Sequence, residues 1–172
     1  MGSRATGTAV PLSDWDFRVE SDDFNAVAAG LPDLASGLEP LARQWDRLST
    51  HQCYMLVLTG PVKVDLLFLD ELHQPRPPWS ANAQTLPGID QHFWDWTLWL
   101  AAKKQAGKDE LVRSELSKMA EHLLMPMGVQ SAPESIRAAV ASYRAARDAL
   151  ETRFGVTVPR RLEREVLPVL PR

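Results

Sequence analysis

Three aspartates with strand-like surroundings are the residues of this sequence best suited to chemistry. Asp14 and Asp16 stand two positions apart, and Asp65 lies in a later stretch where Leu66 and Phe68 occupy the alternate positions. Side chains alternate between the two faces of a β-strand, so Asp14 and Asp16 should share one face. If the two strands are neighbours, three carboxylates converge and repel one another unless cations bind between them. Mg²⁺ is the expected cation, because it takes oxygen ligands and shares them with substrate phosphates.

Such a site would suit phosphoryl chemistry. Two Mg²⁺ ions roughly 3.5–4 Å apart can hold both the attacking and the leaving oxygen of an in-line displacement. A glycine turn, Gly2-Ser3-Arg4, precedes the acidic pair, and its backbone amides and hydroxyl could cradle phosphates. The alternatives are a solvated strand face for the aspartates and an ordinary flexible terminus for the turn.

The order of these motifs resembles the polymerase-β-type nucleotidyltransferase superfamily, in which a Gly-Ser turn, an Asp-x-Asp pair and a later aspartate follow one another. Within it, the chain is similar to the small bacterial aminoglycoside and other antibiotic nucleotidyltransferases. The resemblance covers residues 2–69 and implies that Asp14, Asp16 and Asp65 are catalytic and bind Mg²⁺.

The same resemblance implies where the nucleotide binds. Gly2, Ser3 and Arg4 match the turn that holds the triphosphate. Lys63, on the same strand face as Asp65, is a further nucleotide-binding candidate; it could touch a phosphate or merely neutralise the carboxylates. The implied reaction moves a nucleoside monophosphate, most often AMP from ATP, to a hydroxyl of a small acceptor such as an aminoglycoside-like or lincosamide-like antibiotic.

One departure from the family pattern concerns the start of the sequence. A helix and a hydrophobic strand lead into the Gly-Ser turn of that family, whereas Met1 directly precedes Gly2 here. We therefore expect these N-terminal elements to be missing. Their absence favours one alternative, a non-catalytic nucleotide-binding or regulatory protein. A separate alternative is a toxin–antitoxin nucleotidyltransferase acting on a protein or RNA. For the general base, Asp65, Glu71 and His73 all stay open.

The surrounding pattern predicts an α+β fold. Hydrophobic residues recur at every second position before a proline-rich stretch and at every third or fourth position from Ile89 onward. We expect a small mixed sheet with flanking helices in residues 1–74, a linker at 75–88 and a helical bundle in 89–172. The active site should lie in the cleft between the two units.

Individual elements can also be placed. We expect a strand over 14–20, a short helix that Gly30 ends, a second helical segment in 31–44, a hairpin of 52–58 with 62–69, and helices over 89–106, 109–125 and up to 154. Trp94 and Trp99 could stack on a nucleobase or pack in the core. His92 and Asp95 could face the cleft or the surface.

Composition narrows the function classes. The chain has 172 residues, 45% of them hydrophobic, a net charge of −3 and a single cysteine. Without a basic block, extensive binding to a nucleic-acid backbone is not expected. One cysteine forms no internal disulfide, and no apolar run reaches the ~18 residues of a membrane span, so a soluble cytoplasmic protein is expected. Nothing in the pattern assigns an oligomeric state.

Overall fold

A four-stranded sheet followed by helices confirms the predicted α+β class. The computed structural model describes residues 2–76 and 78–171. Its strands and helices are β1 Trp15–Arg18, α1 Phe24–Ser36, β2 Ala42–Trp45, β3 His51–Leu58, β4 Val62–Leu72, α2 Leu86–Gln105, α3 Asp109–Met119, α4 Ile136–Phe154 and α5 Arg161–Val166. A π-helical turn and a 3₁₀ turn extend α3 to Met127.

The sheet is mixed, with strand order β1-β4-β3-β2. The predicted hairpin is β3 and β4, which pair antiparallel across a turn at Gly60, whose φ of +106° suits glycine. Strand β1 pairs with β4 in parallel and places Asp16 directly opposite Asp65. The sheet topology therefore brings the two acidic stretches side by side.

Helix α1 covers one face of the sheet. Its buried residues Leu31 and Ala35 belong to a core cluster with Tyr54, Leu56 and Phe68. We predicted that Gly30 ends this helix, and this was wrong: α1 continues through Gly30 and Pro32 to Ser36. Burial of the last two turns against the sheet outweighs the missing amide hydrogen of the proline.

The second helical segment that we expected in residues 31–44 is not formed: residues 31–36 are the end of α1, and β2 begins at Ala42. Ala42 is buried, and its neighbour Arg43 is exposed. Pairing with β3 fixes this alternation, since Ala42 lies opposite Val57. A four-residue strand is too short for its periodicity to be distinguished from a helical turn in the sequence.

Helix α2 packs on the opposite face of the sheet. Leu56 belongs to the cluster under α1, whereas its neighbour Val57 belongs to the larger core with α2. Lys63 and Asp65 alternate with Val64 and Leu66 of the first cluster, so they point to the α2 side. The three aspartates therefore face the helical part of the chain.

The helices begin near the predicted positions. Helix α2 starts at Leu86 rather than Ile89, because Pro87 is well accommodated in a first helical turn. Ser135 caps α4 by accepting a hydrogen bond from the amide of Ala138 at 3.1 Å. The division into units at residues 75–88 stays a prediction. Within the described ranges, no helix has the length and apolar character that crossing a membrane requires.

Candidate active site

Three carboxylates meet where β1 and β4 run side by side. One oxygen each of Asp14, Asp16 and Asp65 lies within 4.8 Å of the other two. Asp14 is buried, just before β1, and the other two are half-buried. Two oxygens on opposite sides of one Mg²⁺ ion are about 4.2 Å apart, so the spacing suits a shared divalent ion. The sequence prediction that these side chains converge is met by the geometry, while their catalytic role stays a prediction.

Mutual repulsion within the cluster is visible in Asp16. Burial raises the pKa of its carboxyl, the negative charges of Asp14 and Asp65 raise it further, and Lys103 and Lys63 act in the opposite direction. A bound divalent cation would relieve this repulsion, because it replaces carboxylate–carboxylate contacts with carboxylate–metal contacts. The donor set therefore fits the ion that the sequence predicted.

Gly2 lies directly against the acidic cluster. Its φ is +91°, and a methyl group added to its Cα would overlap Oδ2 of Asp16. Only glycine satisfies both conditions, because L side chains rarely adopt this φ and any side chain would displace the carboxylate. The turn and the acidic pair, separate in the sequence, are thus in contact in the fold.

Arg4 ties this turn to the start of β1. Its guanidinium donates to the carbonyl oxygens of Ser13, at 2.6 and 3.1 Å, and of Asp14, at 3.1 Å. It also stacks over Trp15, 4.1 Å from the ring centroid. Arg4 therefore acts in positioning the backbone of Asp14, and its predicted contact with a nucleotide stays a prediction.

Ser3 contributes a hydroxyl without a partner. Its Oγ is buried and makes no hydrogen bond within the described part of the chain. A buried hydroxyl of this kind usually has a partner, so an oxygen of a bound ligand would satisfy it. This is the observation that best fits the predicted contact of Ser3 with a phosphate.

Lys63 is held between two carboxylates. Its Nζ donates to Oδ1 of Asp65 at 2.6 Å and to the two oxygens of Asp95 at 2.8 and 2.9 Å. Burial disfavours the ammonium, but the charges of Asp95 and Asp65 outweigh that effect and raise the pKa of Lys63 above its usual value. This geometry matches the neutralising alternative; contact with a nucleotide stays a prediction.

Helix α2 supplies a second cation that the sequence analysis missed. Nζ of Lys103 lies 3.4 Å from Oδ2 of Asp14 and 4.8 Å from the ring centroid of Trp99. Asp95, Trp99 and Lys103 are four residues apart and so form one stripe along the helix. The spacing of Lys103 from Asp95, for which the sequence left the cleft and the surface both open, is the signal that could have found this second cation.

A cavity of about 340 Å³ adjoins the carboxylates between the sheet and α2. We call it the Asp65 cavity. Its wall includes Lys63, Asp65, His92, Asp95, Trp96 and Trp99. Trp94, in contrast, is fully buried in the core, whereas stacking of Trp99 on a nucleobase stays a prediction. The cavity has the size of a small-molecule site.

Comparison with known proteins adds little. No family model matches the sequence, and no curated protein matches it. Among solved structures, the chain is similar to an aminoglycoside 6-adenyltransferase from Bacillus subtilis, with 13% identity, a TM-score of 0.35, and coverage of 91% of this chain and 87% of that chain. A likeness this weak carries no conclusion about activity, so the superfamily membership inferred from the motifs stays a prediction.

The imidazole of His92 lies on the wall of the Asp65 cavity. Its ring is buried, its Nδ1 has no hydrogen-bond partner within the described residues, and its Nε2 lies 3.9 Å from Oδ1 of Asp46. Burial lowers the pKa of His92 to about 4, with Asp46 opposing the shift. The imidazole is therefore neutral at pH 7 and can exchange hydrogen bonds with a ligand hydroxyl.

Two of the three general-base candidates lie elsewhere. Glu71 is six residues beyond Asp65 on β4, a separation of about 20 Å along a strand. His73 follows β4, and its Nδ1 lies 3.0 Å from the carbonyl oxygen of Ser49. Asp65 alone, of those three, is at the acidic cluster.

Proposed function

We propose that the protein is a Mg²⁺-dependent nucleotidyltransferase. It would move a nucleoside monophosphate, AMP from ATP, to a hydroxyl of a small molecule such as an aminoglycoside-like antibiotic. The observation that carries the proposal is the convergence of Asp14, Asp16 and Asp65 against a glycine turn. In the reaction, the acceptor oxygen bonds to the α-phosphorus, the bond to pyrophosphate breaks, and the hydroxyl proton leaves to a base.

The roles of the residues follow from their positions. Asp14 and Asp16 would hold Mg²⁺, and Asp65 would complete that site or take the hydroxyl proton. The ion, when bound, supplies charge neutralisation at the phosphates. Gly2 makes room for the Asp16 carboxylate because it has no side chain, and the unpartnered hydroxyl of Ser3 would offer the phosphates a hydrogen bond.

Lys103 is the cation best placed to meet the triphosphate. Each donor hydrogen of the Lys63 ammonium has a carboxylate partner, whereas the one carboxylate that Lys103 contacts near the site, among the described residues, is Asp14, at 3.4 Å. Its side chain is also 19% exposed, against 4% for Lys63. A phosphate can therefore reach Lys103 without first breaking a buried ion pair.

The Asp65 cavity supports a small acceptor. Its volume suits a small molecule, its tryptophan rings offer flat apolar surfaces, and carboxylates of Asp46 and Glu115 lie on its wall. Glu115 is paired with Lys118 of the same wall at 2.6 Å, so Asp46 is the carboxylate of these two that favours an acceptor with an amino group. The neutral imidazole of His92 could accept a hydrogen bond from, or donate one to, an acceptor hydroxyl.

Pyrophosphate release is the test. Purified protein is incubated with ATP, Mg²⁺ and a panel of hydroxyl acceptors, half of them bearing amino groups. Release that needs both acceptor and Mg²⁺, and that Asp16→Asn abolishes, is expected. Asp70→Asn is the matched control, because this exposed aspartate lies on β4 and contacts Arg18 at 3.2 Å, away from the cluster. No release with any nucleoside triphosphate, from folded protein, would contradict the proposal.

A further inference from the structure

Asp95 makes a buried contact that no motif of the sequence anticipates. It lies on α2 and holds the ammonium of Lys63 through both carboxylate oxygens, at 2.8 and 2.9 Å. That ammonium in turn donates to Oδ1 of Asp65 at 2.6 Å. A continuous chain of charge-assisted hydrogen bonds thus runs from the helix, through Lys63, to the third carboxylate of the acidic cluster.

Burial makes this arrangement stiff. Lys63 is 5% exposed and Asp95 is 4% exposed. An ammonium has three hydrogens, and the three contacts use all of them. Rotation of Lys63 away from Asp65 would leave a buried charge without its partner, which is strongly unfavourable. The position of Oδ1 of Asp65 is therefore fixed from the helix side.

The net charge of the acidic cluster also indicates that Lys63 and Asp95 act by orientation. The groups that meet here are four carboxylates and two ammonium groups: Asp14, Asp16, Asp65, Asp95, Lys63 and Lys103. When all six groups are ionised, they leave two negative charges, which one divalent ion neutralises. Lys63 and Asp95 cancel each other in this balance, so their contribution is orientation rather than net attraction for the ion.

We infer that Asp95 is a positioning residue, which clamps Lys63 against Asp65 so that the third carboxylate is held in place for the divalent ion. This inference rests on the proposed function. It also assigns Lys63 a structural duty in the site in place of direct contact with the nucleotide. Groups that orient metal ligands from outside are commonly worth 10–100-fold in metal affinity.

The decisive variant removes both charges at once. Lys63→Met with Asp95→Leu keeps similar side-chain volumes and leaves the net charge of the cluster unchanged. Replacement of a buried ion pair by apolar residues of similar size is often neutral for folding. A loss of metal affinity in a folded double variant then reports the lost orientation of Asp65. It cannot be attributed to misfolding or to a changed net charge. Asp95→Asn is the accompanying single variant.

A matched control stands on the same helix. Asp90 is also a buried aspartate of α2, 3% exposed, but it accepts hydrogen bonds from Trp94 and Tyr143 in the helical core. Asp90→Asn therefore repeats the same chemical change, in a similarly buried place on α2, away from the acidic cluster.

The measurement is Mn²⁺ binding without nucleotide, by electron paramagnetic resonance, with thermal melting of each variant. We expect roughly 10–100-fold weaker binding in Asp95→Asn and in the double variant, and affinity within about twofold of wild type in Asp90→Asn. A folded double variant that binds Mn²⁺ like wild type would overturn the positioning role and leave the proposed function standing. Absence of Mn²⁺ binding in the wild type would overturn both.

Discussion

The contact between Gly2 and Asp16 yields the sharpest prediction. Gly2→Ala imposes two separate penalties: a backbone φ of +91° on a residue with a side chain, and an overlap of the new methyl group with Oδ2 of Asp16. Gly7→Ala imposes only the first, because Gly7 has φ of +73° and nothing within 4 Å of an added Cβ. The difference between the two variants isolates the overlap.

The size of each effect can be worked out. Strain at such a φ costs roughly 1–3 kcal/mol, and at about 2–4 °C per kcal/mol each variant should lower the melting temperature by no more than about 12 °C. The Asp16 carboxylate must withdraw by about 1 Å in Gly2→Ala, and a misplacement of that size can cost about 100-fold in rate. Turnover in Gly7→Ala should stay near wild type.

Pyrophosphate release and thermal melting, run side by side, measure both quantities. The expected pattern is similar melting of the two variants with a large loss of turnover in Gly2→Ala alone. Equal turnover in the two variants would refute the claim that Gly2 is needed to make room for the Asp16 carboxylate.

Three further predictions concern α2. Lys103→Ala should raise the KM for ATP at least about tenfold and leave the melting temperature unchanged. Lys104→Ala, which changes its exposed neighbour, should leave the KM for ATP unchanged. Equal KM values in the two variants would exclude a contact of Lys103 with the phosphates. Burial raises the pKa of Asp90 to about 6. This carboxyl therefore stabilises the fold most below pH 4 and loses about 2–3 kcal/mol of that stability as pH rises to 7. In denaturant titrations from pH 4 to 7, Asp90→Asn should lack this slope, and an identical slope would be inconsistent with the assignment. Trp94→Ala should destabilise by about 3–5 kcal/mol and Trp96→Ala, at the cavity wall, by less; a calorimetric melt that reverses this order would show that the core is misplaced.

The facing of each aspartate of the acidic cluster could be predicted from the sequence because it is local, whereas the parallel pairing of β1 with β4 that brings them together entered only as a condition. A spacing of two places Asp14 and Asp16 on one face, and the apolar alternation around Asp65 marks a strand. The hairpin of β3 and β4 was equally accessible, since Gly60-Pro61 separates two apolar runs. In both cases the backbone geometry of a strand fixes the direction of the side chain.

The clamp on Lys63 could not be predicted in the same way. Asp95 is 32 residues away in the chain, and its approach depends on how α2 packs on the sheet. The passage of α1 through Pro32 has a similar origin, because burial of Leu31 and Ala35 outweighs a local penalty. Tertiary packing decided these features, and local propensity pointed elsewhere.

Calorimetric titration of ATP into the protein, with and without Mg²⁺, tests the central claim most directly. It is run on wild type, Asp14→Asn and Asp16→Asn. The carboxylate cluster predicts binding that requires Mg²⁺ in wild type and is lost in both variants while each stays folded. Binding that persists without Mg²⁺ and is indifferent to both substitutions would contradict the account.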